Sequence, residues 1–288
     1  MRQMIKMNML IHSRFGKKYS DCHMYSSLQL AFKYLRYYLT ASNGKGHGIH
    51  SPFVFHFITK ILNDKTYYPE YTVVENLRQK LLADKTIITI EDLGAGSSTS
   101  GTNQRTISSV AKNAVKQKKY SQLLFRIVKE YKPKTILELG TSLGITTSYL
   151  ALANYRSQIT TMEGSKAIAE VAKENFKTLQ LQNVKLIEGN FDDKLSSAIS
   201  QLLSIDLAFI DGNHRKEPTE RYFNQLLSKT NNDSIFIFDD IHWSKEMENA
   251  WQTIKTNGKV RCSIDLFFIG IIFFRNEFKE KQHFTIRF

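Results

Sequence analysis

The segment Thr135–Ala151, T-I-L-E-L-G-T-S-L-G-I-T-T-S-Y-L-A, constrains the fold more than any other part of the chain. An apolar run carries one acid, Glu138, and leads into a turn in which Gly140 and Gly144 flank three residues. The apolar stretch that follows can begin a helix at once. This order predicts a buried strand, a tight glycine turn and a helix N-terminus, where backbone N–H groups and the positive end of the helix can lie beside a ligand.

A second short run, 158–164, ends in a carboxylate, Glu163, which stands 23 positions after Gly140. In doubly wound α/β folds, an acid at that place accepts hydrogen bonds from a ribose diol. The turn and the acid together predict a cofactor that contains adenosine. An ordinary βαβ unit with a surface glutamate is the alternative interpretation.

A dinucleotide site would need G-x-G-x-x-G, whereas the spacing here is G-T-S-L-G followed by I-T. With an acid two residues before the first glycine, the segment resembles the class I S-adenosylmethionine (SAM) methyltransferases, from about residue 120 to the C-terminus. The resemblance implies that the loop wraps the methionine part of SAM, that Glu163 holds the ribose and that Phe191 lies against the adenine. The cofactor-binding residues it implies are Glu138, Gly140, Thr141, Ser142, Gly144, Thr146, Glu163, Gly164, Asn190, Phe191 and Asp211.

Beyond Glu163, apolar runs alternate with helical segments as far as two closely spaced runs, 261–268 and 270–275. Alternation of this kind predicts an α/β fold with a parallel sheet covered on both faces. The last two runs have almost no linker, so they must pair antiparallel. We therefore expect a Rossmann-like, seven-stranded methyltransferase sheet with its last strand antiparallel over residues 120–288. A mainly helical, basic N-terminal extension precedes it at 26–119, and residues 1–25 are expected to be disordered.

Acids follow two later runs, in I-D-L-A-F-I-D-G-N-H and I-F-I-F-D-D-I-H. These segments resemble the metal-dependent small-molecule O-methyltransferases of the catechol type, in which such acids bind one divalent ion that holds the substrate hydroxyl. By position, the metal ligands would be Asp211, Asp239 and Asp240, with Mg²⁺ or a similar cation. The catalytic residues would be Asp211 and His214, the latter standing where that family keeps a lysine base. The alternative is that the acids shape the pocket and bind no metal.

The net charge of +13 is unevenly distributed. Residues 1–134 hold 22 Lys/Arg against 8 Asp/Glu, whereas residues 135–288 hold 18 against 19. A basic flank suggests an anionic partner such as RNA, although scattered lysines fit a solubilising surface equally well. Two cysteines and the lack of a long apolar run predict a cytoplasmic protein with no membrane contact.

Three features ahead of the glycine turn lack a motif. Residues 26–40 have the period of an amphipathic helix that serves the core or a homodimer contact. A glycine-rich loop with His47, His50 and His56 either folds over the pocket, with His50 best placed to contact it, or simply enters a helix. The stretch Gly94–Gly101 resembles a second nucleotide loop, but no strand is expected after it, so we interpret it as a lid or substrate loop.

These predictions converge on SAM-dependent O-methylation of a small hydroxylated molecule. Two alternatives stay open at this point. One is methylation of RNA, which would use the basic N-terminal half. The other is a SAM-binding protein without catalysis.

Overall fold

The computed structural model describes residues 24–90 and 104–288, and its centre is a twisted sheet of eight strands. The order across this sheet is β10-β8-β9-β7-β6-β3-β4-β5, and a separate pair, β1 and β2, lies outside it. In chain order the strands are β1 (Ile87–Thr89), β2 (Gln104–Thr106), β3 (Thr135–Leu139), β4 (Gln158–Glu163), β5 (Val184–Glu188), β6 (Leu207–Ile210), β7 (Ile235–Asp239), β8 (Cys262–Asp265), β9 (Ile269–Phe273) and β10 (Gln282–Thr285).

Helices cover both faces of the sheet, as a parallel sheet requires. They are α1 (Ser27–Thr40), α2 (Pro52–His56), which continues as a π-helix over Phe57–Leu62, α3 (Pro69–Ala83), α4 (Ile107–Asn113), α5 (Lys118–Tyr131), α6 (Ile145–Ala153), α7 (Lys166–Thr178), α8 (Phe191–Ser200), α9 (Lys216–Leu226) and α10 (Lys245–Thr256). No helix in the described ranges is long and apolar enough to cross a membrane.

Alternate residues of the central strands enter two separate cores. Ile136 of β3 and Phe209 of β6 join the core formed with α5, α6 and the N-terminal helices. Their neighbours Leu137 and Ala208 join the core formed with α8, α9 and α10. Because side chains on a strand point alternately to opposite faces, a run that is apolar throughout fits a sheet buried on both sides. The predicted α/β fold is confirmed.

The sheet differs from the prediction at its edge. The antiparallel pairing of β8 with β9 is confirmed, but β9 is not the last strand and the sheet has eight strands instead of seven. The eighth, β10, pairs in parallel with β8. It is a short edge strand whose residues alternate between half-buried and exposed, so it lacks the continuous apolar run that marks the inner strands.

The prediction that no strand follows Gly94–Gly101 was also wrong. β2 begins at Gln104 and pairs antiparallel with β1, with Ile87 opposite Thr106. This pair forms a separate two-stranded sheet, so it does not extend the sheet that carries the glycine turn. The Gly94–Gly101 loop itself lies outside the described residues.

Helix α1 fastens the N-terminal region to the end of the chain. Its capping box at Ser26 and Gln29 sets the start of the helix one residue after the predicted boundary. The hydroxyl of Tyr37 donates to the carbonyl of Ile286, and its ring packs against Phe267. Ser42, just after α1, forms backbone hydrogen bonds with residues 285 and 287.

The outer face of α1 is exposed and apolar, with Leu28 and Phe32 more than three-quarters exposed. Tyr25, in the segment expected to be disordered, donates to Glu248 at 2.6 Å. Met24 forms an isolated bridge with Ser244. Residues 1–23 lie outside the described part of the chain.

Candidate active site

The glycine turn between β3 and α6 is a tight loop held by backbone hydrogen bonds. The N–H groups of Gly140 and Thr141 both donate to the carbonyl of Met162, at 3.0 and 3.1 Å. Gly140 has φ of 103°, and a Cβ there would lie 2.3 Å from the backbone oxygen of Asp211. Only glycine fits, because the backbone is left-handed and the end of the neighbouring strand β6 comes so close. The loop and Asp211 therefore form one continuous surface.

Glu138 lies beneath this loop and is completely buried. Its Oε2 accepts hydrogen bonds from the hydroxyls of Thr147 and Thr161, at 2.5 and 2.6 Å. Thr161 is also hydrogen-bonded to Thr141 of the loop at 2.6 Å. Burial raises the pKa of Glu138 to about 7. The residue supports the loop from inside the protein.

Glu163, at the end of β4, faces the loop from the other side. Its two oxygens accept from the backbone N–H groups of Ser142 and Ser165, at 2.9 and 3.0 Å. Burial raises its pKa, and these N–H donors act in the opposite direction. Each carboxylate oxygen has a second lone pair, so hydrogen bonds from a ligand diol remain available. Gly164 follows directly and is half-buried.

The turn after β5 forms a further wall near Asp211. Asn190 caps α8 by accepting from the N–H of Asp192 at 3.0 Å. The ring of Phe191 lies against Gly212, where a Cβ would come within 2.5 Å of it, and meets Tyr222 edge-on with the ring centroids 6.0 Å apart. Phe191 therefore stands beside the end of β6, with room beside it only because residue 212 is glycine.

An acidic cluster forms at the ends of β6 and β7. Oδ1 of Asp211 lies 3.5 Å from Nε2 of His214. Each of Asp211, His214 and Asp239 offers one potential ligand atom, and these three atoms lie within 4.8 Å of one another. Asp240 follows Asp239 in the left-handed region, with φ of 51°. Burial, together with the charge of Asp239, raises the pKa values of Asp211 and Asp240. Three carboxyl groups in so little water require a compensating positive charge.

Lys116 supplies that charge, although no motif in the sequence pointed to it. The residue lies between α4 and α5, and its Nζ contacts Oδ1 of Asp239 and lies 4.0 Å from Oδ1 of Asp240. The Lys116 side chain is 9% exposed and that of Asp239 is 3% exposed. Burial disfavours the ammonium, but Asp239 and Asp240 together raise the pKa of Lys116. The same lysine keeps the pKa of buried Asp239 below its usual range.

Lys116 also borders the glycine loop. Ala114, Val115 and Lys116 line one small cleft together with residues 140–142, Ile145, Thr146 and Asp211. The predicted site residues of the loop and of β6 are thus brought together, with a covering segment from the N-terminal region. The signal in the sequence was weak, since Lys116 is one of four lysines between 111 and 120.

Comparison with known proteins identifies this region of the chain. Residues 137–241 match the family model described as a methyltransferase domain. Over these residues the chain is similar to that family. A SAH-bound methyltransferase from Podospora anserina is 13% identical, with a TM-score of 0.55 over 78% of this chain and 97% of that one. An O-methyltransferase from Bacillus cereus in complex with SAH is 17% identical, with a TM-score of 0.51 over 77% and 97%. These likenesses show the fold of the class I SAM-dependent methyltransferases.

The residues that match the methyltransferase family model include the predicted site but not Lys116. All of the predicted site residues, from Glu138 to Asp240, fall inside the matched range, and Lys116 falls outside it. The part of the pocket that Lys116 covers therefore depends on the N-terminal region, which the family model does not describe.

The histidine loop contacts α5 and the start of α2. His47 and His50 are exposed, and Nε2 of His56 pairs with Glu130 at 2.7 Å. Ser51 caps α2 by accepting from the N–H of Val54 at 3.4 Å. These contacts favour the interpretation of the loop as a helix entry.

His242, which follows the acids Asp239 and Asp240, is engaged in a separate network. Its two ring nitrogens lie 3.0 Å from Glu248 and 2.9 Å from Asp265. Burial opposes the charge of His242, but the hydrogen bonds to Asp265 and Glu248 raise its pKa to about 9. Its neighbour Trp243 accepts from the N–H of Tyr25 through its carbonyl at 3.4 Å.

Proposed function

We propose that this methyltransferase domain uses SAM to methylate a hydroxyl group of a small molecule. The observation that carries the proposal is the contact between the glycine loop and Asp211, because a Cβ on Gly140 would lie 2.3 Å from the Asp211 backbone oxygen. A ligand on the loop and a second ligand near the Asp211 and His214 side chains would therefore meet. Methyl transfer requires little more of a protein than this close and oriented approach.

The loop suits SAM in three respects. Gly140 and Gly144 let the loop pack closely against the Asp211 backbone and the Phe176 ring, where Cβ atoms would collide. Oγ of Ser142 is buried and has no hydrogen-bond partner among the described residues, so a donor or acceptor of a ligand would satisfy it. Glu163 retains lone pairs for a ribose diol. When bound, SAM would supply an activated methyl group on a sulfonium.

The acceptor side suits a hydroxyl. His214 lies 3.5 Å from Asp211 and is about one-quarter exposed, so it can reach both the acid and a ligand in the cleft. We assign His214 the role of base that takes the hydroxyl proton, with Asp211 orienting its ring. Phe191 is the residue proposed to lie against the adenine, and Thr146, at the start of α6, lies where a carboxylate can meet the helix N-terminus.

A divalent ion on Asp211, Asp239 and Asp240 is a separate prediction. The donor atoms of Asp211, His214 and Asp239 are close enough to hold a cation, but the ammonium of Lys116 already contacts Asp239. The residues present therefore do not fit a metal as they are arranged here. No step of the proposed reaction depends on one.

The proposal is tested by calorimetric titration with SAH and SAM of the wild type and Glu163→Ala. We expect micromolar binding to the wild type and a loss of roughly 100-fold or more in the variant, since the ribose would lose two charge-assisted hydrogen bonds. Glu170→Ala is the matched control, because Glu170 is an exposed acid on the next helix, α7. No binding of either ligand to the wild type would refute the proposal.

A methyl-transfer assay then separates the remaining alternatives. Labelled methyl groups from SAM should appear on hydroxylated small molecules such as catechols and phenolic acids, and His214→Gln should abolish transfer without loss of SAH binding. Transfer to RNA instead would support methylation through the basic N-terminal half. SAH binding without transfer to any acceptor of either class would support a non-catalytic SAM-binding protein.

A further inference from the structure

Lys116 contacts one of the carboxylates that a metal ion at this edge of the sheet would need. Its Nζ contacts Oδ1 of Asp239 and lies 4.0 Å from Oδ1 of Asp240. Asp239 is one of the three residues whose potential ligand atoms lie within 4.8 Å of one another. A divalent ion bound to these oxygens would lie within a few ångströms of the ammonium. Two like-charged centres so close together in a buried site repel each other strongly, so the lysine and a metal exclude one another.

The backbone of Lys116 is held in place by Arg78 of α3. Its backbone carbonyl accepts from Nη1 of Arg78 at 2.9 Å, and Arg78 is itself buried. Arg78 pairs with Glu75 at 3.0 Å, and Glu75 accepts from the hydroxyl of Tyr149 at 2.8 Å. Tyr149 belongs to α6, the helix that starts at the glycine loop. A chain of hydrogen bonds therefore ties the lysine segment to the cofactor loop.

The charges near the cleft need one compensating cation. Asp211, Asp239 and Asp240 meet there, and His214 lies 3.5 Å from Asp211. Lys116 provides a fixed positive charge against two of the three acids. Its ammonium has three donors, so contact with Asp239 leaves hydrogen-bonding capacity for an acceptor oxygen.

We propose that the Lys116 ammonium is the resident cation of the acceptor site, and that this protein works without a divalent metal. The inference rests on the proposed function, because it assigns the acceptor side of the same site. Lys116 would attract and orient the acceptor oxygen, which is the task that a bound ion performs in the metal-dependent enzymes that the sequence resembles.

The test is titration with Mn²⁺ in the presence of SAH, followed by the electron paramagnetic resonance signal of free Mn²⁺. The wild type and Lys116→Arg should show no Mn²⁺ site that depends on Asp239. Lys116→Ser should gain one and bind at least about tenfold more Mn²⁺ than the wild type at the same free concentration, because the acids then lack their cation. Lys116→Ser/Asp239→Asn should lose the gained site. Lys118→Ser, two residues away and exposed, is the matched control and should behave as the wild type.

The outcomes distinguish this inference from the proposed function. Wild-type Mn²⁺ binding that disappears in Asp239→Asn, or no gain of binding in a folded Lys116→Ser, would overturn the inference while SAH binding stands. Absence of SAH binding in the wild type would reject the proposed function. If Lys116→Ser does not fold, the wild type still decides the matter, since its methyl transfer should be unaffected by EDTA. Inhibition by EDTA that Mn²⁺ reverses would overturn the inference.

Discussion

The glycine loop and the acidic cluster lie side by side at one edge of the sheet, but they are held in place differently. The loop is fixed by backbone hydrogen bonds to Met162 and Glu163 and by glycines that allow close approach. The cluster is fixed by opposite charges, with Lys116 set against Asp239 and Asp240. Backbone geometry is local and tolerates changes elsewhere, whereas a buried ion pair fails when either partner is removed. The comparison predicts that the two halves respond to different perturbations.

The largest effect should come from Asp239→Asn, which leaves the Lys116 ammonium without its main partner. Both side chains are nearly inaccessible, so the free energy of unfolding should fall by about 3–5 kcal/mol, measured by urea denaturation. Asp233→Asn is the control, because Asp233 is 73% exposed and pairs with Arg275 at the surface. Its loss should stay below about 1 kcal/mol. Equal losses for the two variants would mean that the cluster is not held by its buried charges.

Gly140→Ala should affect the other half. A left-handed backbone and a Cβ placed 2.3 Å from the Asp211 oxygen force the loop and β6 apart, which should destabilise the fold by about 2–4 kcal/mol. We also expect SAH affinity to fall roughly 100-fold, measured by calorimetry on the fraction that remains folded. Gly258→Ala serves as the control, since a Cβ at that position meets no atom within 4 Å. Unchanged SAH binding in Gly140→Ala would separate the loop from cofactor recognition.

A smaller effect should come from Glu138, the fully buried acid beneath the glycine loop. Its pKa is raised to about 7, so between pH 4.5 and 7 the folded state keeps a proton that the unfolded state releases. Stability must therefore fall as the pH rises through this window and then level off. Glu138→Gln keeps the shape without the charge, so it should remove a pH-dependent loss of about 2–3 kcal/mol between pH 4.5 and 8. Parallel pH profiles of the wild type and Glu138→Gln would contradict the raised pKa.

Sequence reasoning succeeded where the signal is local. The order of apolar run, acid, glycine turn and helix lies within seventeen consecutive residues, and the alternation of strands with helices places the acids at one edge of the sheet. The loop, Glu163 and the ends of β6 and β7 could be located from these patterns alone. The same patterns also predicted the antiparallel β8–β9 pair, because two strands without a crossover have no other way to pair.

The sequence did not reveal features that depend on distant partners. Lys116 resembles the other lysines of the basic N-terminal half, and only the folded chain shows that it contacts Asp239. β10 was missed because an exposed edge strand with charged neighbours carries little apolar pattern. The sequence also did not show that the hydroxyls of Thr147 and Thr161 donate to Glu138 in the fold, whereas its assignment to the cofactor site stays a prediction.

Folding during translation is affected by the contacts that α1 and Ser42 form with residues 285–287. During translation Tyr37 leaves the ribosome 249 residues ahead of its partner Ile286. Until residues 285–287 have followed, the apolar side chains that α1 buries stay uncovered. Disruption of the contacts at residues 285–287 should therefore leave the sheet largely assembled but deprive α1 of its docking site, and nascent chains that stall ahead of residue 285 should need a chaperone.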